Sequence, residues 1–209
     1  MISAAFFDFD MTIVDSEESL VKTMNLFAAD KGLRPITRED LMASIGCTLQ
    51  ESWIRYWGRC EPDWPDYYKE RYGFAELSGI RPFPDTIPLL GRLREAGVKT
   101  AVVTNRWKAP LAVELAGLGG RFDAVVGAEE AERPKPHPDP VLKALELLRV
   151  PAGEALLVGD SDVDILASVA AGVKAVGVPT GAKSAEELTA AGAWRIIGRL
   201  GEFAGLAGL

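Results

Sequence analysis

Histidine is almost absent from this chain of 209 residues: His137 is the only one. That leaves a single candidate base for any Ser-His-Asp arrangement and argues against a histidine-ligated metal site. Cysteine is nearly as scarce, and Cys47 and Cys60 are too few for a disulfide framework or a four-ligand zinc site. There is no Lys/Arg cluster, and 30 acidic residues against 23 basic ones give a formal charge of −7. This balance argues against nucleic acid and anionic membrane as partners. A small anionic substrate stays open, because one lysine and one metal ion reverse a local field. Long apolar runs are missing too, and none reaches the ~20 residues of a membrane span. The opening Met-Ile-Ser-Ala-Ala-Phe-Phe turns acidic at Asp8 without the basic region or cleavage pattern of a signal peptide. The expectation is a cytoplasmic protein with no evident protein partner.

What the chain does hold is an alternation of short apolar runs and helical patterns. At 48% apolar and 25% charged residues it has a globular composition, and its length suits one domain with a modest insert. The run Ala4 to Phe9 is short, aromatic-rich and bounded by acidic residues, which predicts a buried strand. At Ser16-Glu17-Glu18 a helix start appears, and the pattern stays helical to about Gly79. This stretch includes an aromatic segment from Trp53 to Tyr72, broken by Pro62 and Pro65. Beyond Pro84 helices are expected at 89–96, 111–118, 138–148, 163–171 and 186–190. Strands are expected between them at 99–104, 124–126, 155–158 and 174–178, with an edge strand at 194–197. The reading is an α/β fold: a Rossmann-like, mostly parallel sheet with helices on both faces, plus a small α-helical unit inserted after the first strand. The core would comprise 1–15 and 80–209, and the insert 16–79.

In such sheets, polar residues just past the carboxyl ends of the strands share one crevice. Four segments here end that way: Asp8-Phe9-Asp10-Met11-Thr12, Thr104-Asn105-Arg106, Arg133-Pro134-Lys135-Pro136 after a loop, and Gly159-Asp160-Ser161-Asp162-Val163-Asp164. Taken singly, each reads as a turn or a helix cap. Capping alone does not account for four of them in strand order. Asp8 and Asp10 repel at this spacing and need a cation or a shared proton, and Asp160 and Asp164 bring further carboxylates. An oxygen-only ligand set favours a hard ion, Mg²⁺ above others. Lys135 adds positive charge, while Thr104 and Asn105 offer neutral donors for a phosphate. The set suits phosphoryl transfer, with one Asp attacking phosphorus and the other moving the proton.

These segments resemble the four motifs of the haloacid dehalogenase superfamily, in its helical-cap subclass that includes phosphoglycolate phosphatases and β-phosphoglucomutases. Asp8 to Thr12 matches its Asp-x-Asp-x-Thr motif, Thr104 the second motif, Lys135 the third, and Gly159 to Asp164 its Gly-Asp-Ser-x-x-Asp. The match runs from Ala4 to about Gly181. The resemblance implies Asp8 as nucleophile and Asp10 as general acid and base. It implies a Mg²⁺ site made by Asp8, the Asp10 backbone carbonyl and Asp160, with Asp164 assisting. The insert 16–79 would be a cap that closes over the crevice and chooses the substrate. Met11 stands where the family has glycine. If that backbone needs a positive φ, Met11 carries strain, and its side chain would narrow the entrance. Asp10 favours a phosphatase or a phosphomutase over a dehalogenase, because halide leaves without a proton.

The expected function is a Mg²⁺-dependent phosphatase acting on a small phosphorylated metabolite, phosphoglycolate-like. The alternatives are a mutase of the β-phosphoglucomutase type and a non-catalytic binding protein that kept the fold. Lesser signals read as structural: His137 as a loop-fixing residue, Ser161 as a helix cap, Gly117-Leu118-Gly119-Gly120 as a helix stop, and the aromatics of the insert as packing. The turn Ile45 to Gln50, where related caps read the substrate, has no cation of its own; Arg55 and Arg59 follow it. Arg106 is either an anchor for a substrate anion or a surface helix residue.

Overall fold

The structure is a computed structural model and describes residues 2–181 and 183–209. The chain opens with strand β1 (Ala4–Phe7), a short β2 (Val14–Asp15) and helices α1 (Glu17–Asp30), α2 (Arg38–Met42), α3 (Leu49–Trp57), α4 (Trp64–Arg71) and α5 (Gly73–Ser78). It returns through β3 (Arg81–Pro82) to α6 (Thr86–Glu95), β4 (Lys99–Val103), α7 (Ala109–Val113), β5 (Ala124–Val126) and α8 (Asp139–Leu148). It ends with β6 (Ala155–Gly159), α9 (Asp162–Ala170), β7 (Lys174–Gly177), α10 (Ala185–Ala190), β8 (Arg195–Ile196) and α11 (Phe203–Leu206).

The six-stranded sheet runs β5-β4-β1-β6-β7-β8 with every pair parallel. Parallel strands need covering on both faces, and the strand sequences supply two apolar sides. Ala5, Phe7, Val102, Leu156 and Val158 point into one core with Leu89, Leu90 and Leu93 of α6 and Phe203 of α11. Their neighbours Ala4, Phe6, Ala101, Val103 and Leu157 point into a second core with Val141, Ala144 and Leu148 of α8 and Ala167 of α9. The expected α/β sandwich is therefore present, and β8 lies at the edge as read. β1 sits where the strand order reverses, so the crevice of the fold opens beyond its carboxyl end.

Several elements depart from the sequence reading. β1 stops at Phe7 rather than Phe9, because the backbone N–H groups of Thr12, Ile13 and Val14 all turn back onto the Phe9 carbonyl at 3.4, 3.1 and 3.2 Å. α7 ends at Val113, and a wider turn from Glu114 to Leu118 breaks at Gly117 with φ of 73°. α11 lies outside the expected helices: its Gly-interrupted sequence has little helix propensity, and packing of Phe203 on Phe7 at 5.6 Å stabilises it instead. β2 and β3 pair antiparallel, Val14 with Pro82 and Asp15 with Arg81, and so tie together the two passages of chain into and out of the helical segment.

Helices α1 to α4 gather around their own apolar cluster of Leu20, Met24, Phe27, Trp53, Trp64 and Tyr68, while Leu77 of α5 packs into the core of the sheet. Phe27 stacks on Trp53 at 4.8 Å with the rings 5° from parallel, so these aromatics pack against one another. Capping boxes start two of these helices: Thr37 with Asp40 on α2, and Thr48 with Glu51 on α3. Among the described residues no helix is long and apolar enough to cross a membrane.

Candidate active site

Asp8 leaves β1 with its N–H on the Val158 carbonyl of β6 at 2.9 Å. It is buried, and the Lys135 ammonium donates to its Oδ1 at 2.7 Å. The same ammonium, wholly buried, donates to Asp164 Oδ1 at 2.5 Å and to the Val103 carbonyl at 2.8 Å. Burial works against the Lys135 charge, but the carboxylates of Asp164 and Asp8 outweigh it and hold the ammonium firmly protonated. Lys135 is itself positioned by Asn105, whose Oδ1 accepts the Lys135 N–H at 2.8 Å and whose Nδ2 donates to the Lys135 carbonyl at 2.9 Å.

Asp160 is fully buried beside Asp8, with Thr12 Oγ1 donating to its Oδ1 at 2.9 Å. Among the described residues its Oδ2 has no hydrogen-bond partner. Glycine at 181 keeps the backbone against this atom, since a Cβ there would come within 1.8 Å of Oδ2. Asp164 opens α9, accepting on Oδ2 from the Ser161 N–H at 3.2 Å and from Ser161 Oγ. Only glycine fits at 159, where a Cβ would lie 2.3 Å from the Asp164 Cβ. Asp8, Asp160 and Asp164 thus each offer an oxygen within 4.8 Å of the others. Three carboxylates face one ammonium. Burial first, then the Asp164 charge, raises the Asp8 pKa to about 7 against the pull of Lys135. Burial and the charges of Asp8 and Asp164 push Asp160 well above the carboxylate range. An excess of buried negative charge with one orphaned carboxylate oxygen fits a hard divalent cation, bound by oxygen alone.

The side chain of Asp10 stands apart from this cluster. Both its oxygens face Arg106, which donates from Nε at 2.9 Å and from Nη2 at 2.6 Å. Only the Asp10 backbone carbonyl remains for a metal, the part that the family resemblance assigns it. Arg106 is not a surface residue: its side chain is 4% exposed, and Nη1 donates to the buried Glu76 of α5. Thr104 is buried at the end of β4, and its Oγ1 accepts the Arg106 N–H at 3.2 Å.

Helices α1 to α5 roof the crevice and leave a cavity of about 270 Å³. Asp8, Asp10, Thr104, Asn105 and Arg106 line it from below, and Leu20, Met24, Ile45, Leu49 and Glu76 from above. The Gly46 carbonyl accepts from Asn105 Nδ2 at 2.9 Å, so the turn at 45–50 rests directly on the site. Arg55 and Arg59 do not enter the cavity; the first donates to the Ala43 carbonyl and the second lies on Trp64. His137 is exposed and meets the site nowhere, although its N–H closes a turn on the Pro134 carbonyl. Met11 does have a positive φ of 57°, but its side chain is buried and is not among the cavity-lining residues, so it does not narrow the entrance. Sequence reasoning missed Glu76 and Lys69. Nothing in their surroundings on helices α4 and α5 marks them, apart from their lying in the helical insert.

The sheet order, the carboxylate cluster beyond β1 and the buried lysine define a phosphoric ester hydrolase of the haloacid dehalogenase type. The chain matches the family model "Haloacid dehalogenase-like hydrolase" over residues 5–178 and belongs to that family. It is 40% identical over 187 residues to a protein of Caldanaerobacter subterraneus named as a pyrophosphatase, PpaX, covering 85% of this chain and 81% of that one. It is 30% identical over 173 residues to a phosphoglycolate phosphatase of Aquifex aeolicus, covering 80% of each. A crystal structure of a haloacid dehalogenase-like hydrolase from Bacteroides fragilis superposes with a TM-score of 0.89 at 28% identity, over 97% of this chain and 100% of that one.

Proposed function

We propose that this protein is a Mg²⁺-dependent phosphatase of small, phosphoglycolate-like phosphomonoesters that works through an aspartyl-phosphate. The observation that carries the reading is the buried trio Asp8, Asp160 and Asp164, with Lys135 on Asp8 and Asp164 and an Asp160 oxygen left without a partner among the described residues. An Asp8 carboxylate oxygen attacks phosphorus, the bond to the leaving oxygen breaks, and Asp10 gives that oxygen its proton. Asp10 then takes a proton from water, which attacks the same phosphorus and returns Asp8 as a free carboxylate with release of phosphate. Lys135 offsets charge on the phosphoryl oxygens, and the Thr104 hydroxyl is a further donor to them. Asp8, Asp160, Asp164 and the Asp10 carbonyl would hold Mg²⁺, which when bound neutralises charge on the transferring group.

Residues 16–79 are the cap in this reading, with 1–15 and 80–209 as the core. The separate apolar cluster of α1 to α4 and the contact of Gly46 with Asn105 support it. A cavity of about 270 Å³, below the ~300–1,000 Å³ usual for drug-sized ligands, favours a compact substrate. Inorganic pyrophosphate is the second reading, favoured by the relative at 40% identity. The test is phosphate release across a panel of phosphoesters and pyrophosphate, with Mg²⁺ and with chelator. Metal-dependent turnover of a compact substrate is expected, and its absence across the panel would overturn the reading.

A further inference from the structure

Two of the residues lining the cavity carry positive charge, Arg106 from the sheet side and Lys69 from α4. Neither serves the phosphoryl group in the scheme above. A guanidinium has five N–H donors. Arg106 spends one from Nε and one from Nη2 on Asp10, and one from Nη1 on Glu76, which leaves two unaccounted for on a buried side chain at the cavity wall. Lys69 has no ion pair or hydrogen bond among the described residues, and its Nζ lies 5.6 Å from the ring centre of Trp107, the residue next to Arg106. The Tyr68 hydroxyl donates to Glu76 Oε2 at 2.5 Å, so the carboxylate behind Arg106 is itself held in place.

Building on the phosphatase reading, we infer that Arg106 and Lys69 form a subsite for a second anionic group of the substrate, a carboxylate or a phosphate beside the phosphoryl group removed, and that this group replaces Asp10 on Arg106. Arginine pairs planar or tetrahedral oxyanions through two N–H groups at once, as it pairs Asp10 here. The exchange keeps Arg106 paired, so it leaves no bare charge in a buried place. It also frees both oxygens of Asp10 for the leaving group. A substrate with a single anionic group leaves Asp10 clamped. Glu76 stays behind Arg106 and keeps it aimed into the cavity. The cation of the cap and the cation of the core then meet on one ligand, which couples seating of the right substrate to closure of the cap.

The test is binding, read by calorimetry in excess Mg²⁺ with non-hydrolysable probes. Methylphosphonate carries one anionic group, phosphonoacetate adds a carboxylate, and methylenediphosphonate adds a phosphonate. The wild type should bind at least one two-anion probe about ten- to hundred-fold more tightly than methylphosphonate, as expected for charge-assisted hydrogen bonds. Whichever of the two is preferred identifies the anion. Lys69→Gln should remove most of that preference, mainly by weakening the two-anion probe, and in turnover should raise KM far more than it lowers kcat. Lys69 is only half-buried and makes no hydrogen bond or ion pair among the described residues, so this variant keeps the fold. Arg106→Lys, which keeps the charge and loses the two-pronged pairing, should weaken the same probe. Equal affinity of the wild type for one- and two-anion probes overturns the inference, as does a Lys69→Gln variant that keeps the preference. Hydrolysis of p-nitrophenyl phosphate by the wild type reports on the phosphatase reading separately, so the two can fail independently.

Discussion

Arg106 grips Asp10 by both carboxylate oxygens, Nε on Oδ2 at 2.9 Å and Nη2 on Oδ1 at 2.6 Å, across 96 positions of sequence. The pair gives the proposed acid and base of the reaction a defined resting state. Burial raises the Asp10 pKa, but the Arg106 charge and its two hydrogen bonds outweigh this and hold the carboxyl below its ordinary value. In this state Asp10 is ionised and is suited to take a proton from water. Giving a proton to a leaving group requires it to leave Arg106 first. The proposed chemistry of the site therefore turns on which anion Arg106 holds.

Asp10→Asn should slow formation of the phosphoenzyme from an alkyl phosphate that carries a second anionic group, such as phosphoglycolate, by roughly 10²–10⁴-fold. The same step with p-nitrophenyl phosphate should slow much less, because its leaving group departs with little protonation. Rapid-quench measurement of the burst of released alcohol isolates this step from water attack. An equal loss on both substrates would remove Asp10 from the role of acid.

Asp8→Asn should abolish turnover, since an amide does not attack phosphorus. It should also raise the melting temperature of the metal-free protein at pH 8. There the wild-type carboxylate is forced to ionise among Asp160 and Asp164 in a buried place. Calorimetry in EDTA, with mass spectrometry to exclude deamidation, checks both. Wild-type activity in the intact amide would sink the nucleophile assignment.

The stability of the metal-free protein should fall as pH rises. Asp8 in the folded state holds its proton up to about pH 7, against an ordinary value of 3.8, and Asp160 is shifted the same way. A raised carboxyl pKa contributes stability that is full below about pH 4 and is lost as pH climbs through the folded value. Between pH 5 and 8 the groups with lowered values, such as Asp10 and Asp139, are ionised in both states and add no slope. Thermal melts in EDTA should therefore decline across that window. Mg²⁺, which binds the ionised forms, should stabilise the protein more at pH 8 than at pH 5. A rising or flat profile in EDTA would contradict the picture of an uncompensated carboxylate cluster.

Thr12→Val removes the hydroxyl that donates to Asp160 Oδ1 at 2.9 Å and keeps the side-chain shape. Loss of such an orienting hydrogen bond costs about 10–100-fold in metal affinity. The Mg²⁺ concentration for half-maximal activity should rise by that factor, with kcat at saturating metal much less affected. A fall in kcat that metal does not restore would instead mark Thr12 as part of the chemistry.

The sequence by itself determined the α/β alternation and the four polar segments at strand ends, because both are local properties. A parallel strand buried on both faces must read as a short apolar run, as Ala4–Phe7 does. Asp8, Lys135, Asp160 and Asp164 are recognisable by type and order, and the strands that carry them necessarily share one end of the sheet. The destination of each side chain was not legible in this way. Asp10 reads as a partner of Asp8, and the fold turns its carboxylate onto Arg106 instead. Asn105 reads as a phosphate donor, and its amide is engaged with the backbone of Lys135 and Gly46. Glu76 and Lys69 carry no motif, and the docking of α4 and α5 over the sheet brings them to the cavity. Such pairings depend on packing between segments far apart in sequence, where a few ångströms decide which charge a carboxylate meets. The α11 helix depends on it too, since Gly205 disfavours helix and the burial of Phe203 against Phe7 compensates. Local pattern decided the elements and the inventory of chemistry, and only tertiary contact decided which groups are paired and which are left to meet a ligand.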